Sequence, residues 1–247
     1  MKPSSRLSIL KAAASATVLL LSAGFAGAHG IWIAERHSDL AVVYGHGSSD
    51  EGYDPAKLTS LRLLDERGAQ LPVQRMDGND HVTFAKVDGA AVAVSTLDNG
   101  FWSKGADGKW VNKSKDEVED ATEGGRYLKY SVTILDHLHD TPKPHGLGFE
   151  IVPLADPSVM KAGDTLDVQV LLRGKPVADV VVIAEYTTDS DNRSVRTNAD
   201  GKASITIRNQ GLNVVAASFS EELQDRTRAD EVGHFATLTL NLHYHAE

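Results

Sequence analysis

From residue 31 onward the chain alternates short apolar runs with clusters of Gly, Asp, Asn and Pro. Ile31-Trp32-Ile33 opens the first expected strand. Residues 40–44 form a second, ended by Gly45-His46-Gly47. Residues 58–64 and 71–75 read as a pair across the turn-prone Asp65-Glu66-Arg67-Gly68. Residues 81–85 follow the turn Asp77-Gly78-Asn79-Asp80, and residues 90–97 are rich in Val and Ala. Short strands at this spacing, with Gly and Asp punctuation, predict a sandwich or barrel rather than a parallel sheet with crossover helices.

Residues 98–125 break the pattern. Trp102 and Trp110 flank Gly105-Ala106-Asp107-Gly108, which predicts a hairpin. The charged run 113–120 reads as a solvated loop or a short helix, and 127–135 as the last strand of a first domain. Between 140 and 147, Pro142 and Pro144 disfavour continuous strand or helix, because each fixes φ and lacks an N–H. Beyond this linker, residues 149–154, 165–172, 180–186, 203–207, 214–219 and 235–243 supply most of roughly seven strands, the size of an immunoglobulin-like sandwich. The expectation is an all-β protein of two tandem β-sandwich domains, 29–139 and 148–247.

Residues 1–28 change the picture. Lys2, Arg6 and Lys11 precede an apolar run centred on residues 17–21, and Ala26-Gly27-Ala28 offers a small-x-small cleavage site. This is the pattern of a secretory signal peptide. The apolar run falls short of the ~20 residues that span a bilayer, and no second one follows, so no membrane insertion is expected after processing. Cleavage removes three cations and no acid, which moves the formal net charge from -9 to -12. So acidic a chain is a poor nucleic-acid partner. There is no Cys. Export without disulfides suggests a bacterial periplasm, and a metal site here must use nitrogen and oxygen donors.

Cleavage after Ala28 makes His29 the first residue. Its amine and its imidazole can then chelate one divalent ion together. All ten histidines lie after residue 28. His46 sits between two glycines at the end of a strand, and antiparallel pairing of the first two strands would bring it toward His29. His234 reads as the opening of the final strand and as a third candidate. His137 and His139, and likewise His243 and His245, are two apart, so each pair shares one face if extended; their part in a site is left open. An amine with imidazoles suits Ni(II), Co(II), Cu(II) or Zn(II), and the donors must be deprotonated to bind. No nucleophile elbow, His-Glu-x-x-His helix, phosphate loop or dinucleotide fingerprint occurs, so no enzyme activity is expected.

Several stretches resemble a family of bacterial periplasmic proteins, long known as a domain of unknown function and described as nickel-uptake or cobalt-transport components. They include Ala28-His29-Gly30-Ile31-Trp32, Val43-Tyr44-Gly45-His46-Gly47, Leu97-Asp98-Asn99-Gly100-Phe101-Trp102 and Gly125-Arg126-Tyr127-Leu128-Lys129-Tyr130, with Asn209-Gln210-Gly211-Leu212-Asn213-Val214 in the second half. The resemblance implies a periplasmic accessory that binds a divalent cation, nickel or cobalt before copper or zinc, and passes it to a membrane metal-uptake transporter. It singles out His29, His46 and His234 as the recurring ligands. The turns Gly174-Lys175-Pro176 and Asp200-Gly201-Lys202 resemble those of transthyretin-like sandwiches, a likeness of fold alone. Two other functions fit the residues: a non-enzymatic interaction or adhesion module of the cell envelope, and a copper-dependent oxidase built on an N-terminal histidine chelate with Tyr44 or Tyr244 as an axial aromatic.

Overall fold

A computed structural model describes residues 29–36, 38–193 and 195–242. The signal-peptide reading of 1–28, and His37, His243, Tyr244 and His245, lie outside the described residues. The first half runs β1 (Gly30–Arg36), β2 (Asp39–Gly45), β3 (Leu58–Leu64), β4 (Gln70–Leu71), β5 (Arg75–Asp77), β6 (Val82–Phe84), β7 (Val92–Lys104), β8 (Trp110–Val111) and β9 (Glu123–Ile134). The second runs β10 (Phe149–Pro153), β11 (Thr165–Leu172), β12 (Lys175–Pro176), β13 (Val181–Ile183), β14 (Val195–Arg196), β15 (Lys202–Thr206), β16 (Leu212–Glu222) and β17 (Glu231–Asn241). The chain is all-β, with three single-turn helices among the described residues. Among the described residues, no helix is long and apolar enough to cross a membrane.

A nine-stranded sheet forms the centre, in the order β14-β13-β16-β17-β9-β7-β3-β4, with β8 paired to β7. Both halves of the chain build it. They join where β17 lies parallel to β9, from Glu231 opposite Gly125 to Leu240 opposite Ile134. One face of this sheet carries Tyr130, Val132, Ala236 and Leu238 and packs on the sheet of β10, β11, β12 and β15. The other face receives the sheet β1-β2-β6-β5. Two sandwiches are therefore present, and they share the central sheet.

The β1–β2 hairpin explains why its sequence is apolar on both sides. Ile31 and Ile33 face the first half, with Val82, Leu97 and Leu58. Trp32 and Ala34 face the second, with Ile183, Tyr186 and Phe235. A strand buried on both faces loses the clean alternation of a half-exposed one. The central sheet also holds polar side chains against this hairpin. Lys129, Ser131, Thr133, Thr237 and Thr239 are all buried.

Candidate metal centre

The register of β1 on β2 sets Gly30 opposite Gly45. His29, just before β1, therefore meets His46, just after β2. Their ring centroids are 6.2 Å apart and the rings are tilted by 60°. One hydroxyl ties the two strand ends together. The Tyr186 hydroxyl accepts from the Gly30 N–H at 3.2 Å and donates to the Gly45 carbonyl at 3.0 Å. Burial lifts its pKa well above the usual tyrosine value, so it stays protonated.

The chain turns sharply after β2. Gly47 has φ 59°, a left-handed conformation that glycine adopts without strain. A Cβ on Gly45 would overlap the backbone of Ser49. The turn brings Ser49 under His46, where its hydroxyl accepts from the His46 N–H at 2.7 Å and donates to Glu51 at 3.1 Å. Glu51 in turn lies 3.0 Å from His29 Nε2. The His29 ring stacks on Tyr44, 5.1 Å between centroids. Tyr44 accepts from Asn99 Nδ2 at 3.1 Å. Burial, then the charge of Glu51, pushes its hydroxyl pKa up to about 12.

Tyr53 anchors the far end of this loop. Its buried hydroxyl donates to the Val42 carbonyl and accepts from the Val82 N–H, each at 3.1 Å. Tyr53→Phe strands both backbone groups, and is expected to lower stability by about 1–3 kcal/mol. Urea unfolding reads the change; an unmoved midpoint would show that the anchor lies elsewhere.

The chemistry of the donors fits a metal ion. A carboxylate on His29 Nε2 favours the ring proton on that nitrogen, and Nδ1 is the nitrogen that would close a six-membered chelate ring with the His29 amine if cleavage after Ala28 freed it. Metal-binding histidines characteristically donate their other N–H to such a carboxylate. His46 has Nδ1 at 3.4 Å from the Tyr186 hydroxyl and Nε2 at 3.3 Å from Ser190 Oγ. The Tyr186 hydroxyl also accepts from the Gly47 N–H; a proton on Nδ1 of His46 would leave Nε2 as its acceptor. Two imidazoles bound to one ion at about 2.0–2.1 Å place their centroids about 4.5–6.4 Å apart, depending on the angle at the metal. The observed separation falls inside that range at its wide-angle end. Among the described residues, no group of three or more His, Asp or Glu side chains is arranged to hold a metal.

Residues 26–221 match the family named Domain of unknown function (DUF4198). The chain belongs to that family. It is also similar to an uncharacterized protein of Haemophilus influenzae (strain ATCC 51907 / DSM 11121 / KW20 / Rd), 30% identical over 224 residues, which cover 90% of this chain and 93% of the relative.

The DUF4198 match contains His29 and His46 and ends inside β16, before His234. His234 lines one cavity of about 280 Å³ together with His46, Tyr186 and Ser190. β17 begins at Glu231, so His234 sits within the strand rather than opening it. Its ring points to the opposite face of the central sheet from Phe235, which packs on Tyr186. There it stacks on Tyr130, 6.0 Å between centroids, and Nε2 lies 3.0 Å from Glu221. Burial lowers the His234 pKa, an effect only partly offset by Glu221. His137 lies 2.6 Å from Asp156 and His139 3.3 Å from Asp140, in the irregular stretch after β9.

Three residues of this DUF4198 site escape sequence reasoning. Glu51 carries a weak signal, being five residues past His46 in the same loop. Tyr186 and Ser190 carry none, since they arrive from the second half of the chain. Buried Glu185 sets their loop by accepting from the Thr187 and Val214 N–H groups.

Proposed function

We propose that this DUF4198 protein is an exported periplasmic carrier of a divalent transition metal, an accessory to nickel or cobalt uptake, whose site is completed when the signal peptide is removed after Ala28. The approach of the His29 and His46 rings, with Glu51 fixing the His29 tautomer, carries this reading. The amine and Nδ1 of His29 and Nε2 of His46 are the proposed ligands, and His234 is not among them. Two imidazoles at a wide angle, with the chelating amine at about a right angle to one of them, suit the tetragonal preferences of Ni(II) and Cu(II) better than tetrahedral Zn(II). Glu51 and Tyr186 orient the two rings, and Tyr44 walls one side. The proposed role is delivery to a membrane metal-uptake transporter, without catalysis.

Calorimetry on the processed protein, its first residue verified by mass spectrometry, tests the proposal. One equivalent of Ni(II) is expected to bind, with Cu(II) tighter and Co(II) weaker by their intrinsic order. His46→Gln is expected to lose at least about tenfold in affinity, the scale of one ligand or its orienting partner. No binding above background, or equal binding by H46Q, would overturn the assignment.

A further inference from the structure

A cleft of about 400 Å³ opens beside His29 and runs past Tyr44 and Asn99 to Lys57, with Trp102 and Trp110 along its wall. Its size is that of a small-molecule site. Local backbone geometry builds it. A β-bulge between Asp98 and Gly100 breaks the register of β7 on β9, and Gly100 takes φ 77°. Bulges re-aim the side chains they displace. Here the bulge frees Asn99 from the ladder and sends its amide inward, where it is 2% exposed.

Asn99 links the two ends of the cleft. Its Nδ2 donates to the Tyr44 hydroxyl, on which His29 stacks, and its Oδ1 accepts from Lys57 Nζ at 3.1 Å. Lys57 also donates to Asn112 Oδ1 at 2.9 Å and stands 5.7 Å from the centre of the Trp102 ring. Its partners are thus two neutral amide oxygens and an aromatic face. The two carboxylates that line the cleft are engaged by other donors: Asp54 caps the Ala56 N–H, and Glu51 serves His29 and Ser49. Desolvation lowers the Lys57 pKa, against the pull of Asp54 and of Asp98, which pairs with Arg126. A partly buried ammonium with one N–H to spare and no ion pair among the described residues is a ready partner for an anionic oxygen.

We propose that this cleft binds a small organic polycarboxylate which ligates the ion at His29 with one end and pairs with Lys57 at the other, so that the cargo is a metal–carboxylate chelate rather than a bare cation. The inference rests on the metal reading of His29 and His46. With an ion in place the cleft has a positive pole at each end, and a ligand with carboxylates at both ends satisfies both. Trp102 covers the carbon skeleton between them. A protein contributing only three nitrogens leaves open coordination positions on Ni(II), and these are where the carboxylate oxygens belong.

Citrate is the probe. Processed protein is loaded with Ni(II) alone, with Ni(II) and citrate, or with citrate alone, desalted, and assayed for metal by elemental analysis and for citrate by mass spectrometry. The expected result is co-retention of nickel and citrate, one of each per chain, with no citrate kept in the absence of metal. Lys57→Met is expected to keep nickel and lose citrate at least about tenfold, the effect of removing one charge-assisted hydrogen bond. Lys57→Arg is expected to restore it, which separates lost charge from lost fold. Nickel retained without citrate, citrate stripping the nickel, or equal citrate on K57M would overturn this inference and leave the metal site standing. Nickel absent from every arm would overturn both.

Discussion

A single alanine added ahead of His29 is expected to weaken Ni(II) or Cu(II) binding by at least about a hundredfold, while the fold is untouched. The extra residue converts the terminal amine into a peptide nitrogen, whose lone pair is delocalised into the carbonyl. One ligand disappears, and with it the chelate ring that makes the His29 imidazole an intramolecular partner at high effective concentration. The β1–β2 ladder starts at Gly30, one residue further on, so its pairing survives. The extended protein should melt within about 0.5 kcal/mol of the processed one when metal is absent, as surface changes do. The comparison isolates the amine. His29→Ala would remove the ring, its stacking on Tyr44 and its contact with Glu51 all at once. Equal affinity for the extended and processed chains would show that the amine is not a ligand, and the site would reduce to two imidazoles.

What the sequence disclosed and what it concealed follow from how local each signal is. The first hairpin was legible because both its strands and its Gly45-His46-Gly47 turn lie within one short stretch, and their antiparallel pairing fixes where His29 and His46 must meet. The strand at 165–172 was legible because it covers one face only, and its alternation survives. The start of β17 was not legible. Its first residues, Glu231, Val232 and Gly233, are held by backbone pairing on both sides, to Glu222, Val232's partner Glu221, and Ser220 in β16 and to Gly125, Arg126 and Tyr127 in β9. Backbone pairing leaves no hydrophobic trace, so His234 looked like a strand opener. Tyr186 was invisible for a different reason. It is 156 residues from Gly30 in the chain, and only the parallel β9–β17 junction brings it near. The same junction explains why two expected domains turn out to share a sheet.

Lys129→Met is expected to raise stability by roughly 2–4 kcal/mol at neutral and lower pH, the second large effect. Lys129 sits in the middle of β9 on the face that receives β1, 1% exposed. Its ammonium lies 5.3 Å from the centre of the Phe235 ring and 5.7 Å from that of Tyr127. Burial lowers its pKa from 10.5 to about 7. The unfolded chain therefore holds this proton up to about pH 10.5, while the native chain gives it up near 7. Between those limits the unfolded state binds more protons, so stability rises with pH there. Below about pH 7 both states are protonated, the slope from this residue vanishes, and the folded protein carries the cost of a buried charge. That cost is on the order of 5 kcal/mol, offset in Met by the loss of about 1–2 kcal/mol of cation–π attraction. Denaturant unfolding across pH 6–10 should show the wild-type curve climbing above pH 7 and the variant's staying flatter. The neighbours sharpen the test. Ser95, Ser131, Thr133 and Thr239 each bury a hydroxyl that has no hydrogen-bond partner among the described residues, and Ser131 is the next residue along the same face. If K129M is instead less stable than the wild type at pH 6, this polar seam is a cradle that holds the ammonium, and its cost has already been met within the fold.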